Sequence, residues 1–332
     1  MKKTKTRLAL LYNLRVDFPH LSFETPDDVN ADWDIPETIS FLQEGLSDIG
    51  YEVINVGYDS KTPTLLPTLN ATVFNICEMY GSSYRESLVP SLCEIFSIPY
   101  VFSTPDVMLK TLDKNLCNFL VRQLGVNVPD WVYIRDINQT NQVSELRDYP
   151  YIVKPAHEGS GIGISNNSVV SSYKELRDRV KLIWDQYQTH VLVQKYIEGA
   201  ELTVGVVGSS TESQVLKPIE ISLHESLVYG YEEKELSQIK ASYAPFNNET
   251  LESEIKTVSE DIYNGLGCRD AARIDFRLDR NNMKLYFIEI NPLPHLHPKI
   301  GDFCRSGSGA GYSYQALLNA IMDSAVKRMK SH

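Results

Sequence analysis

The sequence has no apolar run near the ~20 residues that a membrane-spanning helix needs. Its first apolar stretch, residues 8–12, is too short for a signal-peptide core. It has no basic block, and its formal net charge is -11, which argues against nucleic acid as the main partner. The five cysteines, Cys77, Cys93, Cys117, Cys268 and Cys304, are scattered, and no two have zinc-ligand or C-x-x-C spacing. The expectation is therefore reduced, mostly buried thiols in the cytoplasm, with no membrane partner. Internal repeats and low-complexity tracts are missing too, as are a Walker loop and a G-x-G-x-x-G turn opening a helix.

At 332 residues, with 42% hydrophobic and 23% charged residues, the chain has the composition of a globular protein of two or three domains. The first third alternates strand and helix: strands at 8–12, 53–56, 72–76 and 99–102, and helices at 36–49 and 86–97. This pattern predicts a parallel sheet with helical cover, whose ligands bind beyond the strands' carboxyl ends. Residues 18–33 form an irregular acidic insert after the first strand. A helix over 112–124, strands at 131–134, 151–154 and 191–194, and strands near 202–207 and 215–221 follow. The chain closes with a long helix over 249–266, two strands and a helix from Ser313.

Four segments carry chemistry. In Ala272-Arg273-Ile274-Asp275-Phe276-Arg277-Leu278 the even positions are apolar and the odd ones charged, so Arg273 and Asp275 share a face. If the following hairpin loop holds an odd number of residues, Glu289 and Asn291 of the next strand join them. Two carboxylates and an amide oxygen suit Mg²⁺, and a guanidinium beside them can hold a phosphoryl group or an oxyanion. The alternative is a salt-bridged sheet face. Val153-Lys154-Pro155-Ala156-His157-Glu158-Gly159-Ser160-Gly161-Ile162-Gly163 is a strand ending in lysine, then a glycine-rich loop. It reads either as a phosphate cradle or as a plain turn. In Leu112-Asp113-Lys114, Asp113 can cap a helix and Lys114 can reach a phosphate or stay solvated. Gln194-Lys195-Tyr196-Ile197-Glu198-Gly199-Ala200-Glu201 can hinge two domains around a purine, with Glu201 on the ribose, or simply connect two strands.

In this order the four segments resemble the ATP-grasp superfamily, in its D-alanine–D-alanine ligase branch. Phe74-Asn75-Ile76, Ile98-Pro99-Tyr100-Val101 and Gly125-Val126-Asn127-Val128-Pro129 extend the resemblance over most of the chain from Val73 onward. It implies an α/β (α+β) three-domain fold, an N-terminal parallel α/β domain followed by two α+β subdomains clamping ATP. We place the domains at 1–111, 112–196 and 197–332. It further implies an ADP-forming carboxylate–amine ligase working through an acyl phosphate, with ATP, one or two Mg²⁺ ions (Mn²⁺ able to replace them) and a homodimeric assembly. Lys114 and Lys154 match the phosphate lysines. Glu158, Gly159 and Ser160 match the phosphate loop, Ser160 also as a latch for the lid. Gln194, Lys195, Ile197 and Glu201 match the residues around adenine and ribose. Asp275, Glu289 and Asn291 match the metal ligands, and Arg273 the arginine that steadies the intermediates. Residues 229–234 resemble the start of the mobile lid, with Lys234 as its phosphate contact.

The amino-acid half departs from the family. Tyr12-Asn13-Leu14-Arg15-Val16-Asp17 replaces a Gly-Gly and acidic segment, Cys77-Glu78 a His-Gly pair, and Gly81-Ser82-Ser83 a Gly-Glu-Asp turn. Glu235 replaces the tyrosine after the lid lysine. Pro292-Leu293-Pro294-His295-Leu296-His297-Pro298-Lys299 stands where a glycine and serines are expected. His295, His297 and Lys299 predict a bulkier, more basic acceptor subsite whose amine substrate carries an extra anionic or polar group. Glu78, Arg85 and Glu86 are the candidates for gripping the other substrate. The expectation is a ligase for amino acids or dipeptides other than D-alanine with D-alanine. The alternatives are a D-alanine–D-alanine ligase proper and an ATP-binding protein without catalysis.

Overall fold

The computed structural model describes residues 5–19, 26–224, 226–234 and 241–330. The N-terminal part contains β1 (Arg7–Tyr12), α1 (Pro36–Asp48), β2 (Glu52–Gly57), α2 (Thr62–Leu65), β3 (Thr72–Asn75), α3 (Leu88–Ile95) and α4 (Pro105–Leu112). Its strands pair in parallel in the order β2-β1-β3. Leu8, Ala9, Leu10 and Leu11 are fully buried, as a continuous apolar run implies for a strand covered on both faces. The strand expected at 99–102 shrinks to one bridge between Val73 and Tyr100, because Phe102 turns into the left-handed region at φ 77°.

The middle of the chain supplies α5 (Lys114–Gln123), β4 (Trp131–Ile134), β5 (Tyr151–Pro155), β6 (Val169–Val170), α6 (Tyr173–Tyr187) and β7 (Val191–Lys195). The Asp113 side chain accepts from the Asn115 and Leu116 amides, so α5 starts at Lys114 rather than at 112. These strands form an antiparallel sheet in the order β4-β7-β5-β6, backed by Leu176, Val180 and Ile183 of α6. The last part holds β8 (Ala200–Ser209), β9 (Gln214–Val215), β10 (Ile219–Leu223), α7 (Tyr231–Lys234), β11 (Ala241–Pro245), α8 (Glu249–Leu266), β12 (Arg269–Asp279), β13 (Lys284–Asn291), α9 (Asp302–Gly309) and α10 (Tyr314–Lys330). Its second antiparallel sheet runs β11-β10-β8-β12-β13, with β9 beside β8.

Side chains cross the boundaries drawn from sequence order. Cys117 and Val121 of α5 pack with Ile262, Leu266 and Phe287 of the last part, and Leu317, Leu318 and Ile321 of α10 pack with Leu10 and Leu42 of the first. The N-terminal and C-terminal parts are thus one buttressed base, and the central sheet is a flap with its own small core. Residues 196–199 join flap to base. A Cβ on Gly199, at φ 150°, would lie 1.9 Å from the Leu278 carbonyl oxygen. Gly199→Ala is therefore expected to destabilise the protein by about 3 kcal/mol. An unchanged midpoint in thermal unfolding would refute that.

Candidate active site

The cleft between the two antiparallel sheets has an apolar half and a charged half. Ile152, Ile164, Tyr196, Ile197, Val228 and Ile288 line the first, with Gln194 at its back. Gln194 is fully buried and its Nε2 has no partner among the described residues. A buried amide left this way is a recognition group awaiting a ligand, and a planar base edge inserted between the isoleucines would supply one. Glu201 lines the same cleft, and Arg277 fixes it: Nη1 donates to Glu201 Oε2 at 2.6 Å, and Nε to the Ile197 carbonyl. Lys195 lines the cleft as well. Its Nζ donates to the Asp148 carbonyl and lies over the Tyr151 ring, so its charge is spent within the flap.

Two lysines mark the charged half. Lys114 Nζ donates to the Glu158 carbonyl at 2.6 Å and pairs with Glu289 at 3.4 Å, tying the glycine-rich loop to β13. Lys154 is buried at the end of β5. Burial, with Lys114 beside it, lowers its pKa to about 8 against the pull of Glu289, Glu201 and Asp275. Phosphate binding would restore the proton. Mg²⁺-free ADP should therefore bind with proton uptake above about pH 8, its affinity falling as pH rises further, since fewer apo molecules carry the charge. Calorimetry in EDTA from pH 7 to 9.5 tests this; a flat profile, or the same slope in Lys154→Met, would contradict it.

The loop after β5 is not a helix N-terminus. Ser160, Gly161 and Gly163 all have positive φ, and the Gly163 amide donates to Asp28 Oδ2 at 2.7 Å rather than facing the cleft. The amides able to face a phosphate are those at the start of the loop, 158–161. Gly159 backs onto Asp32, 2.8 Å from where a Cβ would stand, and Gly161 onto the Tyr231 amide, 2.6 Å from its own Cβ position. The acidic insert and residues 230–231 thus both dock on this loop. Lys234 closes α7, but its side chain lies outside the described residues, as do 235–240 of the expected lid.

The four polar residues of the final hairpin do meet, though not by the expected route. The turn between Asp279 and Lys284 holds four residues, an even number, so near the turn Arg277 faces Tyr286. A β-bulge between Asp275 and Phe276 then shifts the register by one, bringing Asp275 opposite Glu289 and Arg273 opposite Asn291. The same bulge turns Ile288 into the apolar half of the cleft beside Glu289. Arg273 Nε lies 3.1 Å from both Asp275 oxygens and Nη2 lies 3.3 Å from Glu289 Oε1, while Thr203 donates to Asp275 at 2.6 Å. Burial works against the guanidinium's charge, but Asp275 and Glu289 outweigh it and raise its pKa further. Among the described residues no group of three or more His, Cys, Asp or Glu could hold a metal. Two carboxylates and the Asn291 amide oxygen, all hard donors on one face, are a set that fits Mg²⁺.

Beyond Arg273 the cleft opens into a second chamber. Its charged and polar lining includes Arg15, Asp32, Asp34, Thr38, Glu78, Ser160, Arg273, Asn291, His295 and Asp302. Of the residues expected to hold substrate, Glu78, Arg273 and His295 are here. Arg85 stands behind the wall, bonded to Asp32 at 2.7 Å and paired with Glu158 at 3.2 Å. Glu86 is buried against Glu78; burial pushes both carboxyls up. The basic acceptor subsite is not assembled. His297 is 1% exposed and packs edge-on against Phe41 of α1, and Lys299 is 67% exposed beside Glu37. Residues 293–296 line the chamber but His297 is taken by Phe41 of α1, a long-range contact that an alternating basic pattern in a loop cannot reveal. Asp34 and Thr38 were missed because nothing in a polar insert or a helix's first turn marks which side chains point inward.

A sequence profile described as "D-ala D-ala ligase C-terminus" matches residues 120–323. The chain belongs to this family. An uncharacterized Sinorhizobium fredii protein, y4sG, is 33% identical over 80% of this chain and 78% of its own length. The D-alanine–D-alanine ligase of Aquifex aeolicus is 29% identical over 85% of this chain and 92% of its own. Among solved structures, the VanG D-Ala:D-Ser ligase of Enterococcus faecalis superposes with a TM-score of 0.76 at 18% identity, covering 97% of this chain and 100% of that one. The Bacillus anthracis D-alanine–D-alanine ligase complexed with ATP gives 0.73 at 18%, covering 98% and 99%. The fold is therefore ATP-grasp, and the chain is a D-alanine–D-alanine ligase-like, ATP-dependent enzyme of the ADP-forming carbon–nitrogen ligase class. Among the described residues no helix is long and apolar enough to cross a membrane.

Proposed function

We propose that this enzyme joins the carboxylate of one amino acid or dipeptide to the amine of another, and that D-alanine with D-alanine is not its pair. One arrangement carries the reading. Arg273, Asp275, Glu289 and Asn291 lie where the nucleotide cleft meets a second chamber, with Lys114 and Lys154 on the cleft side. ATP with Mg²⁺ would supply phosphorylation of the carboxylate, releasing ADP, after which the amine displaces phosphate at the carbonyl carbon. The chain's own part is to hold and shield. Lys114, Lys154 and the loop amides hold phosphates, and Gln194, Ile197 and Glu201 orient the nucleoside. Asp275, Glu289 and Asn291 would hold Mg²⁺. Arg273 reaches the oxygens on which negative charge grows. Ser160, Tyr229 and Tyr231 close the chamber against water, which would hydrolyse an acyl phosphate.

Two ligases of this fold are named for different substrates, D-Ala with D-Ala against D-Ala with D-Ser, which supports a second site that varies while the nucleotide site stays. Here the chamber wall is Asp32, Asp34, Glu78 and His295, unlike the family's pattern of glycines and serines. A cytoplasmic homodimer is part of the proposal. The test is amino-acid-dependent ADP release with product mass, using D-alanine alone against a panel of pairs. Some other pair should exceed D-alanine alone. Robust D-alanyl-D-alanine synthesis with no better pair would restore the plain D-alanine–D-alanine ligase. Nucleotide binding without amino-acid-dependent ADP release would leave the non-catalytic reading.

A further inference from the structure

Most charged groups lining the second chamber are already committed. Arg273 is held by Asp275 and Glu289, and Arg15 donates to the Ala31 and Trp33 carbonyls. Asp32 is bonded to Arg85, and Asp302 to Arg305 and Tyr229. Asp34 differs. Its side chain is only 10% exposed, and among the described residues its one ion pair is to His295, a half-exposed ring 3.5 Å away, beyond a good hydrogen bond. A carboxylate buried to that degree without a close cation is costly, and a ligand's cation would relieve it.

A second, independent observation lies on the same wall. Thr38, four positions after Asp34 in the first turn of α1, is 1% exposed and lines the chamber, yet its Oγ1 has no hydrogen-bond partner among the described residues. The same chamber also has an apolar lining, Ile35, Leu42, Ile76, Leu293 and Leu296. Glu78, on the same wall, is a weaker candidate for a counter-ion: burial first, then Glu86 and Asp32, hold its carboxyl well above the usual range, which favours its neutral form.

We infer that the chamber is built for an amino acid whose side chain is an unbranched apolar stem ending in an ammonium group, with Asp34 as its counter-ion and Thr38 as its hydroxyl partner. The inference rests on the proposed function only in taking this chamber as the amino-acid site. It reverses the expectation of an anionic substrate, because His297 and Lys299 are not in the chamber. The apolar lining fits the methylenes of lysine or ornithine, which a buried acid alone would not require.

The decisive measurement is equilibrium binding to the full chain with Mg²⁺ and a non-hydrolysable ATP analogue. Lysine and ornithine of both chiralities are compared with norleucine, alanine and glutamate. Norleucine has lysine's stem without its charge. One basic amino acid should bind about tenfold or more tighter than norleucine. Asp34→Asn should collapse that ratio to within about threefold, and Thr38→Val should narrow it. ADP affinity reports whether each variant is folded, and the wild-type ratio decides even where a variant is not. Norleucine, alanine or glutamate binding as tightly as the basic amino acids would overturn the inference, as would an Asp34→Asn variant that keeps the ratio. A lysine or ornithine preference without ADP release from any pair upholds this inference and refutes the ligase reading. Turnover of neutral amino acids with no basic preference does the reverse.

Discussion

Arg273→Lys is expected to lower kcat by about a thousandfold, with nucleotide affinity little altered. The guanidinium spans two carboxylates, 3.0 Å from Asp275 Oδ2 and 3.3 Å from Glu289 Oε1, and borders the chamber in which the carbonyl would react. A lysine keeps the charge but has no planar fork. It would collapse onto one carboxylate and stand back from the reacting oxygens. The loss should fall on kcat, because the interaction matters most when charge builds on those oxygens. Steady-state kinetics at saturating Mg²⁺ and ATP, with ADP binding as the check on folding, make the measurement. A kcat within tenfold of the parent would remove Arg273 from the reaction.

Glu289→Gln should raise the Mg²⁺ concentration for half-maximal activity by about a hundredfold. Glu289 serves three positive partners: Arg273, Lys114 at 3.4 Å, and the metal its position suits. Glutamine keeps the shape and one oxygen but drops the charge, so metal binding weakens and the two cations are left undercompensated. Lys154→Ala should behave differently, weakening ADP binding even in EDTA, since Lys154 is the residue proposed to hold phosphate rather than metal. If Glu289→Gln weakened Mg²⁺-free ADP binding as much as it weakened Mg²⁺ dependence, the ligand set proposed for the metal would be misassigned.

Which parts of the site were legible in the sequence follows from how local each signal is. Lys154 at a strand end, the glycines after it and the Asp113 cap are set by backbone rules acting over a few residues, and they stand where the pattern places them. The pairing of Asp275 with Glu289 was read correctly for a reason that does not hold. The loop is even, and a bulge restores the register. Its trace exists in β13, where buried positions run Leu285 and Phe287, then Ile290, a change of phase hidden because Ile288 is apolar as well.

By itself the sequence determined strands β1–β5, β7, β8, β12 and β13, helices α1, α3, α5, α8 and α10, and the chemistry its residue types allow, because periodicity, capping and turn chemistry act over short stretches; α4, α6, α9 and β11 it left unread. Tertiary structure alone decided what fills the second chamber. His295, His297 and Lys299 alternate along one loop, yet α1 takes His297 into its own packing and solvent takes Lys299, leaving His295 to the chamber. Asp34 and Thr38 come to that chamber from the end of an irregular insert and a helix start, and the docking of that insert on the glycine loop, through Asp28 on Gly163 and Asp32 beside Gly159, sets them there. Contacts between residues more than a hundred positions apart carry no local signature, so substrate selectivity in this chain is a property of the folded molecule.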